Sequence, residues 1–172
     1  YSNNLSNYTK YISTEAVYCS DRGVGSGTYS ATDEFEYASY KRFDDDNKGK
    51  NAKPTYDCTN IKDAFSGSNS EAKLTYPIGL MTADEIAYAG GKAYIELSSP
   101  YAWYYLNSAG DSITRRIWWW LLSPYRWSSY VAYSWRVRGS EGPGSLSTTY
   151  VNDSYGVRPA ISIKADALWS RG

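Results

Sequence analysis

The stretch "RRIWWWLLSPYRWSSYVAYSWRVRG", Arg115 to Gly139, decides the fold. Its last part, "AYSWRVRG" (Ala132 to Gly139), alternates between large apolar and polar residues. Successive side chains of a strand point to opposite faces. Tyr133, Trp135 and Val137 therefore share one face, and Ser134, Arg136 and Arg138 the other. Trp135 and Val137 read as core and the two arginines as outward-facing. Tyr133, near the strand start, fits either setting. "RIWWWLLS" (Arg116 to Ser123) is apolar without alternation, the pattern of a central strand covered on both faces. Trp118 to Leu122 are thus expected to pack. Between these runs lies "PYRWSSYV", Pro124 to Val131, a loop by composition that holds Tyr125, Arg126, Trp127 and Tyr130. Tyr and Arg among Ser make a contact surface, in which rigid aromatic area is set among adaptable polar groups. A loop folded back over its own aromatics is the plainer alternative.

Working outward, "SLSTTYV" (Ser145 to Val151) and "GVRPAISIK" (Gly156 to Lys164) complete four β-like runs separated by turns. The half beginning at Tyr94 therefore reads as antiparallel and β-rich. "AYIELSSPYAWYYLNS" (Ala93 to Ser108), which leads into it, is aromatic and broken by Pro100. The half before it is richer in turns and helical signals. "LTYPIGLMTADEIAYAGG" carries a capping box, Thr82 and Glu85, ahead of Ile86, with Gly90 and Gly91 closing the helix. Asp84 and Glu85 suit the positive end of that helix and do not face each other as an acid–base pair would. "CTNIKDAFSG" reads as one or two helical turns. Thr59 or Asn60 caps them, Ile61, Ala64 and Phe65 share a face, and Gly67 stops them. "EAVYCS" (Glu15 to Ser20) reads as a short strand, "DRGVGSGTYSATDE" as a Gly/Ser loop, and "EFEYASYKRF" (Glu34 to Phe43) as a weak strand. "DDDNKGKNAKP" (Asp44 to Pro54) reads as a solvated turn, because it lacks the alternating oxygen ligands and distal Glu of a calcium loop.

Composition narrows the function. The 172 residues fit one domain. Aromatics make up 17% and are skewed toward Tyr (19) and Trp (7) over Phe (3). Tyr and Trp tolerate half-wet interfaces, and a β-rich domain also uses Tyr freely. With 18 basic and 18 acidic residues there is no basic footprint for nucleic acid. No run has transmembrane length and no signal peptide is visible. The chain contains no His, the commonest general base and metal ligand. Cys19 and Cys58 allow at most one disulfide, or two reduced, partly buried thiols. They lack companions at zinc-ligand spacing.

"WWLLSPY", "AYSWRV" and above all "NDSYGVRPAISIK" resemble the C-terminal half of a bacterial and phage family with a C-type lectin fold. Its members include the variable proteins of diversity-generating retroelements, found in gut bacteria and phages, and formylglycine-generating-enzyme-like proteins share the fold. "VYCSDR", "PTYDC" and "YPIGLMTADEIAYAGG" resemble a domain-of-unknown-function branch of the same family. The resemblance runs from about Val17 to Lys164. It implies an α+β fold, a single C-type lectin-like domain over residues 1–172. Two helices, a distorted antiparallel sheet and a long loop-rich excursion are expected. Residues 1–93 form the helix- and loop-rich half and 94–172 the β-rich half, with a variable region at about 117–158.

In such systems, adenine-directed mutagenesis of AAY codons reaches Tyr, Ser, Arg, Asp and Thr but not Trp, Lys or Glu. The resemblance thus implies a diversified ligand-binding surface of Tyr125, Arg126, Ser128, Ser129, Tyr130, Tyr133, Arg136, Arg138 and Ser140. Thr148, Thr149 and Asp153 are weaker candidates. Trp127 is framework by its codon and contact by its loop; Trp135 and Glu141 read as fixed. Tyr125→Ala or Tyr130→Ala is expected to leave folding intact and abolish binding. The implied partner is a protein or cell-surface ligand, met from a phage tail or a bacterial surface, without nucleic acid, membrane insertion, metal or cofactor. The catalytic cysteines of the formylglycine-generating relatives have no counterpart in the C-terminal half, and the calcium-dependent sugar motif of lectins is absent; no enzyme is expected. The alternatives are a structural domain of a surface or virion protein without a diversified site, and an oxidoreductase using Cys19 and Cys58.

Overall fold

The computed structural model describes residues 6–43, 52–95, 117–128, 130–139 and 144–167. The acidic turn at Asp44, the segment around Pro100, and Ser129, Ser140 and Glu141 lie outside the described residues. Nine strands and two α-helices are described, joined by 3-10 turns. The strands are β1 (Tyr18–Cys19), β2 (Val24–Ser26), β3 (Phe35–Tyr37), β4 (Ala64–Phe65), β5 (Gly79–Leu80), β6 (Trp119–Ser128), β7 (Val131–Val137), β8 (Leu146–Tyr150) and β9 (Pro159–Ala160). The helices are α1 (Ala38–Phe43) and α2 (Ala83–Tyr88). A five-stranded antiparallel sheet in the order β2-β3-β6-β7-β8 dominates, with two small antiparallel pairs, β1–β4 and β5–β9. The chain is therefore a mixed α+β domain, mostly sheet with few short helices.

The long aromatic run forms the centre of this sheet, as its composition predicts. Burial along β6 nevertheless alternates. Trp119, Leu121 and Tyr125 enter the core, while Trp120 and Leu122 are half-buried on the other face. The sequence hides this alternation because both faces carry large apolar groups. Trp119 pairs with Val137, and Val137 with Leu146, so these three residues line up across three strands. With Trp135, Phe43, Ala83, Ile86 and Ala93 they form the core cluster against which α1 and α2 pack.

The expected loop at Pro124 is instead strand. β6 continues to Ser128, and the connection to Val131 is only two residues long. Pro124 cannot donate a ladder hydrogen bond, and it stands where the β6–β7 register shifts, a place that tolerates proline. The shift frees carbonyls, and side chains satisfy them. Ser134 Oγ donates to the Ser123 carbonyl at 2.9 Å, and Ser39 Oγ donates to the Pro124 carbonyl. Ser39, fully buried, also accepts from Trp135 Nε1 at 3.0 Å. One hydroxyl thus ties α1 to two strands. Ser39→Ala is expected to lower stability by about 2 kcal/mol, since a buried donor and a buried acceptor both lose their partner. Urea denaturation measures it; an unchanged midpoint would show the bulge to be satisfied without Ser39.

"EFEYASYKRF" is not one strand. It divides into β3 and α1, with Ser39 and Phe43, four residues apart, both buried on one helical face. "CTNIKDAFSG" forms a single 3-10 turn at Ile61–Asp63, capped by Asn60, and then runs into β4. The capping box of α2 is present as read: Thr82 Oγ1 accepts from Glu85 N, and Glu85 returns to Thr82 N at 2.7 Å. Gly90, at φ +98, supplies the left-handed turn that ends the helix. Cys19 and Cys58 form a disulfide.

Candidate functional site

The residues read as a surface gather in two groups, the first at the β6–β7 hairpin end and the second in the part of the sheet around Arg136. Between Pro124↔Ser134 and Arg126↔Tyr133, β6 holds one residue more than β7, so Tyr125 and Arg126 both meet Tyr133. The Arg126 guanidinium carbon lies 4.9 Å from the Tyr133 ring centre and 5.7 Å from that of Tyr125. Tyr133 packs on Tyr150 at 4.6 Å between ring centres. Burial works to lower the Arg126 pKa, but the charges of Tyr125, Tyr133 and Glu34 and a hydrogen bond to Tyr133 outweigh it and hold it above its ordinary value. Tyr150 is raised, chiefly by its hydrogen bond with Tyr133.

Tyr130 occupies the turn. It is 71% exposed and adopts φ +65, a left-handed conformation that bulky side chains rarely take. Ser128 donates to Glu34 Oε1. Trp127 pairs with Ala132 and Phe35 and is half-buried, its Nε1 enclosed without an acceptor. A hollow of ≈ 140 Å³ beside the hairpin end is lined by Glu34, Glu36, Arg126 and Trp127 among others.

Tyr125 departs from expectation. It is 6% exposed and belongs to the core, where its ring meets Trp135 at 5.0 Å and Tyr40 at 5.1 Å. It supports the surface from below, and Tyr125→Ala is a core substitution rather than a binding test.

The second group centres on Arg136. Trp120 pairs with Arg136 and Arg136 with Ser147, which places them opposite the core face. The faces of Arg136 and Arg138 are those read from the alternation, but Arg136 is not outward in the sense of wet: it is 7% exposed. Its guanidinium carbon stands 3.9 Å from the Trp118 ring centre and 4.5 Å from that of Tyr155. Arg138 stands 5.5 Å from Trp118. Tyr155 also meets Trp120 edge-on at 5.3 Å. Burial pulls the Arg136 pKa below its ordinary value, against the opposing pull of Tyr155 and Asp153. Thr149 on this face donates to Asp153. Thr148, paired with Trp135, instead shares a 3.0 Å hydrogen bond with the Tyr94 hydroxyl.

Tyr150 and Tyr155 were not singled out by the sequence. Tyr150 stands next to last in the run "SLSTTYV", so its strand position was the available signal. Tyr155 gave none, because it reaches Trp118 only through the bridge between Trp119 and Gly156.

Both sulfurs are joined, so thiol chemistry would first require opening that bond. Among the described residues, no cluster of three or more Cys, Asp or Glu is placed to hold a metal ion, and no helix is long and apolar enough to cross a membrane.

The fold and these two aromatic–arginine groups thus describe an α+β domain built on a central hairpin. Residues 4–165 match the family described as domain of unknown function (DUF6273), and the chain belongs to it. No curated protein and no solved structure matches the chain.

Proposed function

We propose that the chain is a ligand-binding display module: a C-type lectin-fold variable protein of a diversity-generating retroelement, presented on a phage tail or bacterial surface to recognise a protein or cell-surface ligand. The observation that carries this reading is Tyr130. A large aromatic is held in water, in a strained backbone conformation, at the tip of the central hairpin. Strain of this kind persists where the surrounding structure enforces it, and it gathers at contact sites. Arg126, Tyr133 and the 45%-exposed Tyr150 flank it and add the Tyr/Arg character of interface anchors. The disulfide favours an oxidising setting, as surface display provides.

Tyr130→Gly separates function from stability. The left-handed conformation is free for glycine, and its relief exceeds the added entropy of the unfolded chain, so stability should rise by roughly 0.5 kcal/mol. Binding of the labelled chain to intact bacterial cells, read by flow cytometry across a strain panel, should be saturable and fall at least tenfold in Tyr130→Gly and Tyr130→Ala. Equal binding by both variants, or none by the wild type to any strain, would remove the tip from recognition. The gene should lie beside a reverse-transcriptase gene and a near-copy of the segment encoding 117–158, differing at adenines. A gene without that neighbour overturns diversification.

A further inference from the structure

Arg42 and Arg136 are both largely enclosed, and the protein treats them differently. Arg42 donates from Nε and Nη2 to Asp84, each at 2.8 Å, and from Nη2 to Asp21 at 2.5 Å. Burial alone would lower its pKa, but these two carboxylates outweigh burial and raise it. Arg136 has no such partner. Its Nε and Nη1 are buried without an acceptor, and no carboxylate among the described residues forms an ion pair with it. Trp118 offers its π face to the charge, and Tyr155 adds its ring and a hydrogen bond, but neither ring face satisfies the in-plane donors Nε and Nη1. A buried cation left in this state is destabilising. Trp118, Trp120 and Tyr155 are each only half-buried, so the rim of this seat meets solvent.

We propose that Arg136, framed by Trp118, Trp120 and Tyr155, is the anchor of a carboxylate-recognition site that takes an acidic side chain of the ligand. This rests on the display reading for its biological role, while its geometry stands along β7, away from the turn that carries Tyr130. The ligand carboxylate supplies the acceptors that Nε and Nη1 lack, and a planar, bidentate pairing suits a guanidinium edge. The aromatic frame excludes water around the pair and strengthens it.

The test uses blocked tetraglutamate as probe and tetraglutamine as the neutral control, read by Trp fluorescence, because Trp118 and Trp120 border the seat. The wild type should respond saturably to tetraglutamate alone, and the response should weaken with salt. Arg136→Met should bind at least tenfold more weakly while melting at or above the wild-type temperature, since an apolar side chain suits the enclosed position better. Arg138→Met should lose less. Undiminished binding by Arg136→Met, equal loss in both variants, a wild type silent to tetraglutamate, or a melting temperature more than about 5 °C lower in Arg136→Met would each overturn the proposal. A chain that binds cells but not tetraglutamate overturns this inference alone. One that binds tetraglutamate but no cells overturns the display reading alone.

Discussion

Trp135→Ala is expected to destabilise the protein by about 4 kcal/mol, within the range for deleting a buried Trp. The ring is fully buried between the sheet and α1, where it meets Phe43 edge-on at 5.8 Å and Tyr125 at 5.0 Å. Two losses combine. The cavity is bordered by residues fixed in helix and strand, which collapse poorly into it. The indole N–H that Ser39 accepts also disappears, leaving Ser39 with only its bond to the Pro124 carbonyl. For a chain of this size the melting temperature should drop by roughly 10 °C. Trp135→Phe keeps most of the volume and loses the hydrogen bond, so it should cost about half as much. If calorimetry shows the Ala variant within 1 °C of wild type, the core does not rest on β7 as described.

Removing the disulfide should be comparably severe. Cys19 and Cys58 are separated by 39 positions. Closing a loop of that length restricts the unfolded chain by about 4 kcal/mol on the chain-entropy account. The paired substitution Cys19→Ser with Cys58→Ser should therefore melt roughly 10 °C lower. Wild type in reducing agent should behave like the double variant, whereas the double variant should ignore the reductant. A wild-type melting curve indifferent to reduction would show that the bond constrains little.

Much of the β-rich half was legible because strand periodicity is local. The alternation in "AYSWRVRG" assigned the faces of Trp135 and Arg136 without reference to anything outside the strand. The capping box of α2 was legible for the same reason, being written within four residues. The hairpin end was misread because Pro124 and the serines are loop formers by composition. Only a register shift, set by pairing with β7 and served by Ser39 far upstream, accommodates Pro124 in a strand. Tyr125 stays in phase with Trp119, Leu121 and Ser123, so it turns inward once the strand runs on through Pro124, which a loop reading hides. "EFEYASYKRF" was misread because α1 is too short for a helical period to stand out, with two buried positions alone marking its face. The dryness of Arg136 depends on Tyr155, which the Trp119–Gly156 bridge delivers from beyond the sheet.

The Cys19–Cys58 link also has a mechanical meaning. Pulled from both ends, a chain with this bond cannot extend the residues between the two sulfurs. A fully extended stretch of that length would supply roughly 130 Å of slack. While the bond holds, β2, β3 and α1 lie off the line of tension. Force passes instead from β1 through the disulfide to the segment leading to α2, and onward to the central hairpin. Single-molecule stretching should therefore show a contour length shorter by that amount under oxidising conditions. Reduction should release it in one step, making the outer strands and α1 sensitive to shear.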